Sequence, residues 1–175
     1  MTESPALRRD RLDVARLAAL IRNASIGGYI GAAGADILAE HACVELALKE
    51  NDYLLRQGET SASFFLVEAG RLARVREDAK RDKPVLVHTL QPGDLVGEQS
   101  FIDGTPHALS VVALTPSVVL QFKKSDIEPL IDEHPRLMFD FMRAVIKRVH
   151  HTANEISRQQ MALSDYISSG GKGRT

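Results

Sequence analysis

An alternation of apolar and polar residues with a period of two, from about residue 43 to residue 123, most constrains what this chain can fold into. Val44, Leu46 and Leu48 alternate with Glu45, Ala47 and Lys49. Tyr53 to Arg56 and Ser63 to Val67 follow, the latter running into Glu68-Ala69-Gly70. Ala73 and Val75 alternate with Arg74 and Arg76, and Val85 to Leu90 closes on Gln91-Pro92-Gly93-Asp94. A short strand leads into Gly97, and Leu109 to Leu114 and Val118 to Phe122 flank Thr115-Pro116. Successive side chains of a strand face opposite sides, so each segment buries its apolar side only against another layer. About eight short strands with glycine or proline turns every ~8–12 residues predict a double-sheet roll or barrel. The charged stretch Glu77 to Lys83 reads as a hairpin loop.

The flanks are helical. Val14, Leu17, Leu20 and Ile21 share one face of a helix over Arg11 to Ala24. Ser25 to Gly34 carries four glycines and is either a loop or a weak helix, since each interior glycine costs ~1 kcal/mol. A short helix is expected from Asp36 to His41. After Lys124, Ser125-Asp-Ile-Glu128 has the form of a capping box and opens a helix from Asp126 to Glu133. Pro135 then starts a long helix reaching about Tyr166. The fold class is therefore α+β, mainly β: an eight-stranded β-roll or jelly roll with N-terminal helices and a long C-terminal helix. Its expected segments are 1–37 (helical), 38–124 (roll), 125–167 (C-terminal helices) and 168–175 (a flexible glycine-serine tail).

Along the long helix, Met138, Met142, Val145, Val149, Thr152, Ile156, Gln159 and Leu163 recur at alternating spacings of four and three. This heptad stripe predicts a parallel homodimer seam, loosened at Thr152 and Gln159. Its first turns, with Leu137, Phe139 and Phe141 adding apolar surface, are expected to pack on the roll.

Charge narrows the function. The 175 residues carry 22 Lys+Arg against 23 Asp+Glu, net -1, which excludes a nucleic-acid binder working by bulk positive charge. One cysteine, Cys43, excludes a disulfide scaffold and a cysteine-based zinc site and suits a reducing compartment. No apolar run approaches the ~18 residues of a membrane span. The apolar stretch from Val14 is broken by Arg16, so no signal peptide is expected either. The expectation is a cytoplasmic protein without membrane contact. His151 and Glu155 are four apart on one helix face, but no third ligand is evident, so no metal is expected. Arg71, Arg74 and Arg76 read as ordinary strand surface. No nucleophile–base constellation or Gly-x-Gly-x-x-Gly loop appears, and no enzyme is expected.

The segment Val96-Gly-Glu-Gln-Ser-Phe-Ile-Asp-Gly-Thr-Pro-His-Ala-Leu-Ser-Val111 carries the chemistry. A glycine leading into a helical turn gathers backbone N–H groups toward an anion. Glu98 beside it suits a sugar hydroxyl pair, and His107 across the turn could close over a phosphate. An ordinary strand–turn–strand connection fits the same spacing. This segment resembles the phosphate-binding cassette of the cyclic nucleotide-binding domain family, with Gly97, Glu98, Pro106, Ala108, Ser110 and Val111 at matching positions. Gly58-Glu59, Ser63 to Val67 with Gly70, and Pro92-Gly93-Asp94 follow in the family's order, so the resemblance covers about residues 38–150.

The resemblance implies a cAMP or cGMP site formed by Gly97, Glu98, Gln99, Ser100, His107, Ala108 and Ser110. Gly97 and Ser100 would offer backbone N–H groups, and Glu98 would bind the ribose 2′-hydroxyl. Ser110 stands where a Ser or Thr can touch the base, a feature associated with cGMP preference. The chain departs at His107, where the family places arginine. Losing a charge-assisted bond of ~1.5–3 kcal/mol would cost roughly 10- to 150-fold in affinity. Gln99, Ser100 and Phe101 also replace the usual Leu-Ala-Leu. The expected function is a stand-alone, non-enzymatic sensor that signals through its C-terminal helices to an unidentified protein partner, with no cofactor. The chain ends soon after the long helix, which leaves no room for a DNA-reading domain, so no sequence-specific DNA binding is expected. The alternatives are a ligand-free scaffolding protein, whose pocket Phe101 or a neighbour would fill, and an accessory subunit for another anion such as a cyclic dinucleotide.

Overall fold

The computed structural model describes residues 11–41, 44–77, 83–148, 150 and 161. Helices α1 (Arg11–Asn23) and α2 (Gly27–His41) lead into strands β1 (Val44–Leu48), β2 (Tyr53–Leu55), β3 (Ser63–Ala69), β4 (Leu72–Arg76), β5 (Val85–Leu90) and β6 (Leu95–Val96). A short helix α3 (Glu98–Asp103) precedes β7 (Ser110–Ala113) and β8 (Ser117–Lys123). Helices α4 (Lys124–Ile127), α5 (Pro129–Glu133) and α6 (135–148) close the described chain. The eight strands form two antiparallel four-stranded sheets, ordered β1-β8-β3-β6 and β2-β7-β4-β5. The expected roll with flanking helices is the fold observed.

Residue alternation along β3 explains how the layers stack. Phe65 and Val67 point into the roll, where they meet Leu72, Leu90, Val96, Val111 and Val119. Phe64 and Leu66 point the other way, into a second core shared with Ile21, Ile26 and Leu38 of the N-terminal helices and Leu130, Leu137 and Phe141 of the C-terminal ones. This sheet is covered on both faces, so β3 reads as a continuous apolar run. Phe64 is the hub: it stacks on Phe122 at 4.6 Å, meets Phe101 edge-on at 5.0 Å, and lies 5.0 Å from Phe141. Arg16 of α1 pairs with Glu45 of β1 and Glu68 of β3, pinning the helix layer to that sheet. At the far edge, β5 leaves Val85, Leu86 and Val87 exposed.

Several expectations are corrected. The second helix spans Gly27–His41 rather than Asp36 to His41. It takes up the glycine-rich stretch and breaks only at Gly31, whose φ of 68° is a left-handed conformation glycine adopts without steric cost. Tertiary burial of Ile26, Ile30, Ala35 and Leu38 outweighs the low helix propensity. The capping box does not form. Lys124 N donates to Ala62 O at 2.8 Å, and the helix starts with extended Lys123 as its cap. Ser125 thus falls inside the first turn, and its hydroxyl meets Asp126 Oδ1 at 3.1 Å. The expected helix from Asp126 to Glu133 is divided into α4 and α5 at Pro129, which has no N–H for the ladder.

The heptad stripe is also corrected. Met138 and Val145 are buried in the chain's own core and Met142 packs against it, so these three positions do not form a free seam. The apolar residues that α6 leaves exposed are Phe139 and Ile146. Val149, Thr152, Ile156, Gln159 and Leu163, together with Cys43, His151, Glu155 and the tail, lie outside the described residues. Among the described residues no helix is long and apolar enough to cross a membrane, and no cluster of metal-ligating side chains occurs.

Candidate functional site

The stretch from Val96 to Val111 folds back on itself because its two ends belong to different sheets. β6 pairs with β3, and β7 pairs with β2 and β4. The chain leaves β6 through Gly97, whose φ of 81° caps α3 in a left-handed conformation. A Cβ there would stand 3.3 Å from both Ser63 O and Leu55 Cδ1, so both space and backbone favour glycine. Helix α3 ends at Gly104, and Thr105 N then donates to Asp103 Oδ1 at 2.8 Å. That hydrogen bond holds the exposed Asp103 carboxyl below the usual carboxylate range. The return strand is anchored at His107, whose N–H donates to Glu59 O at 2.8 Å while Gly58 N–H donates to His107 O at 2.8 Å.

Between the two limbs lies a cavity of about 310 Å³, at the lower end of the size range for small-molecule sites. Gly97, Glu98, Gln99, Ser100, His107 and Ala108 all line it. Leu55, Val96 and Val111 form an apolar wall. Glu98 is buried at 7% exposure and lines the cavity. Ser100 is committed through its hydroxyl, which accepts from Ser61 N at 2.9 Å. Phe101, which could have filled the pocket, instead turns into the core against Phe64.

Ser110 is a correction. It does not line the cavity. Its hydroxyl accepts from Gln57 N at 2.8 Å and donates to Glu77 Oε1 at 2.6 Å, leaving it fully buried. Strand alternation is the reason: β7 presents Val111 to the cavity, so its neighbour Ser110 faces the other side. Register agrees, because Arg74 opposes Val111 and both line the cavity, whereas Val75 opposes Ser110. Arg74 is therefore not ordinary strand surface.

Arg148 of α6 is the other residue that sequence reasoning missed. It lines the cavity, donates through Nη1 to Ser25 Oγ at 2.8 Å and through Nη2 to Leu95 O at 3.2 Å, and lies 3.8 Å from Asp94 and 4.0 Å from Glu98. A signal was present, since Arg148 stands three residues after Val145 and seven after Phe141, on the face those residues bury.

His107 lines the same cavity. Burial lowers its pKa from the ordinary 6.5, with Glu59 and Glu98 pulling the other way, so near pH 7 the imidazole is neutral. Its Nε2 is buried without a hydrogen-bond partner. The same side chain borders a second hollow of about 320 Å³ beside Tyr53, Glu59 and Gln121.

Known proteins resemble parts of this chain. The chain shares 29% identity over 72 residues with human cGMP-dependent protein kinase 2, covering 41% of this chain and 9% of that protein. It shares 32% over 73 residues with the acetyltransferase Pat of Mycolicibacterium smegmatis, covering 42% and 21%. The chain thus spans about a tenth to a fifth of the length of these relatives. Among solved structures, the N-terminal domain of a transcriptional regulator from Streptomyces coelicolor superposes with a TM-score of 0.66 at 21% identity, over 78% of this chain and 94% of that one. The regulatory domain of Toxoplasma gondii PKA with cAMP gives 0.67 at 21% identity, over 80% and 51%. These two establish a shared fold. The family profile described as cyclic nucleotide-binding domain matches residues 45–134. That span takes in every strand from β2 to β8 and both limbs of the cavity, so the match is to the roll itself, and the chain belongs to the cyclic nucleotide-binding domain family.

Proposed function

We propose that the chain is a non-enzymatic, cytoplasmic sensor module that binds cAMP or cGMP in the cassette cavity and reports occupancy to a partner protein through its C-terminal helices. The observation that carries this reading is the open cavity of about 310 Å³ between the two cassette limbs, with Glu98 in its wall and Phe101 turned away into the core. A ribose diol would hydrogen-bond to the Glu98 carboxylate, and the base would lie on the apolar wall of Leu55, Val96 and Val111. Human cGMP-dependent protein kinase 2 and the cAMP-bound Toxoplasma domain support cyclic nucleotides as the ligand class. Ser110 is committed to Glu77 and Gln57, so it supplies no argument for cGMP over cAMP.

Transmission runs through packed aromatic rings. Phe101 of α3 touches Phe64, and Phe64 touches Phe141 of α6. A ligand that tightens α3 repacks this triad and shifts α6. The chain pairs with a second copy through the outward face of α6. Phe139 and Ile146, one heptad apart, are the exposed apolar residues of that face. These two stand one position after Met138 and Val145.

Isothermal calorimetry with cAMP and cGMP tests the reading. Saturable one-to-one binding at micromolar to submillimolar affinity is expected. No heat and no thermal stabilisation at about millimolar ligand would remove the nucleotide claim, since about 1 mM ligand adds about 2.7 kcal/mol at a Kd of about 10 μM and still about 0.7 kcal/mol at a Kd of about 0.5 mM.

A further inference from the structure

The cavity is short of the one group its family supplies, a guanidinium at position 107, yet a guanidinium lines it from elsewhere. Arg148 Nη1 and Nη2 are held by Ser25 Oγ and Leu95 O, which fixes the plane of the group between the α1–α2 turn and β6. Its Nε is buried and has no hydrogen-bond partner; Glu98 Oε1, at 4.0 Å, lies beyond hydrogen-bond reach. His107 Nε2 is likewise buried without a partner, and both side chains line the same cavity. A second guanidinium stands close by, since Arg74 Nη2 meets the same Leu95 O at 3.4 Å. Buried polar atoms left unpaired are unfavourable, and His107 Nε2 donates as the Nε2–H tautomer or the imidazolium. An acceptor entering the cavity satisfies them. Asp94 and Glu98 balance Arg74 and Arg148 in charge, so what selects an anion here is the directed N–H rather than bulk positive potential.

We infer that Arg148 performs the task of the absent cassette arginine: its Nε–H, together with the His107 imidazole, receives the anionic phosphate of the ligand. This rests on the cyclic-nucleotide reading above and adds a residue from outside the cassette. The phosphate contact then sits on α6 itself, so ligand binding acts directly on the helix proposed to carry the signal.

The test is calorimetry of wild type, Arg148→Met, Arg148→Lys and the double variant Arg148→Met/His107→Arg, each with cAMP, cGMP and the uncharged nucleosides adenosine and guanosine. Arg148→Met is expected to weaken the cyclic nucleotides by roughly tenfold or more while changing nucleoside binding by less than about twofold. His107→Arg in that background is expected to regain most of the loss, because it restores a guanidinium at the cavity. Arg148→Lys keeps the charge without the Nε edge, and an intermediate loss is expected. It carries the same test should Arg148→Met fail to fold by circular dichroism. Unchanged cyclic nucleotide affinity, an equal loss for nucleosides, or failure of His107→Arg to rescue would overturn the inference alone. Absence of any saturable cyclic nucleotide binding to wild type would overturn it together with the reading it rests on.

Discussion

Lowering the pH from about 8 to about 5.5 is expected to tighten cyclic nucleotide binding through His107. In the free protein, burial holds the imidazole below its ordinary 6.5 despite Glu59 and Glu98, so it is neutral at pH 7. A bound phosphate raises that pKa, because a neighbouring anion favours the imidazolium. The complex therefore binds more protons than the free protein, and affinity increases as the pH falls through the interval between the two values. The gain is the difference between a neutral hydrogen bond of ~0.5–1.5 kcal/mol and a charge-assisted one of ~1.5–3. That difference is about 1–1.5 kcal/mol, or roughly 5- to 12-fold in Kd. The slope cannot exceed about tenfold per pH unit, since one proton is linked. The cyclic phosphodiester keeps its single charge across this range, so the ligand contributes no titration of its own.

Calorimetry in buffers of different ionisation enthalpy measures the proton uptake directly, with His107→Gln as the control. The expected result is uptake of a fraction of a proton near pH 6 in wild type and none in the variant. Affinity independent of pH, or an identical pH profile in His107→Gln, would refute the reasoning. The ligand-free protein is expected to show the opposite trend. A histidine whose folded pKa is depressed contributes stability above its unfolded value, and that contribution is lost as the pH falls.

Three other perturbations follow from the packing. Phe64→Ala removes a fully buried ring with three aromatic neighbours and is expected to destabilise by ~3–5 kcal/mol in urea melts; less than about 1 kcal/mol would contradict its place as the hub. Gly97→Ala forces an L-residue to φ 81°, with a cost of ~1–2 kcal/mol and a lowered Tm together with weakened ligand binding; a neutral effect on both would contradict the left-handed turn. Phe139→Glu with Ile146→Glu places charge on the exposed face of α6 and is expected to convert a dimer to a monomer in sedimentation velocity; a monomeric wild type at high micromolar concentration would remove the pairing claim.

The roll was legible because its signal is local. Alternation in β1 and β4 and the glycine turns each specify a strand end without knowledge of the rest of the chain. The cassette was legible for a similar reason, since Gly97, Glu98 and His107 lie within eleven consecutive residues. What escaped the sequence depended on partners far along the chain. α2 takes in its glycines, broken only at Gly31, because Ile30, Ala35 and Leu38 find a core built by β3 and α6. Ser110 is lost to the site because Gln57 and Glu77, both more than 30 residues away, claim its hydroxyl. Period two placed Arg74 opposite the core side of β4, but that other side is the cavity wall rather than open solvent. The heptad at Met138, Met142 and Val145 is real as a pattern. A stripe with a period near 3.5 also describes a helix packed on its own domain, and the roll claims these residues. Arg148 belongs to that same inward face, and its role emerges only when α6 is laid beside Leu95 and Glu98.

The space between the two cassette limbs is the proposed cyclic nucleotide site. It is tested most directly by a titration of the ¹⁵N-labelled protein with cAMP and cGMP, followed through backbone amide shifts. The largest saturable changes are expected at Gly97, Glu98, Gln99, Ser100, His107 and Ala108, with smaller changes carried to Phe141 and Arg148 on α6. Spectra unchanged at about millimolar nucleotide, or changes confined to residues away from the cavity, would contradict it.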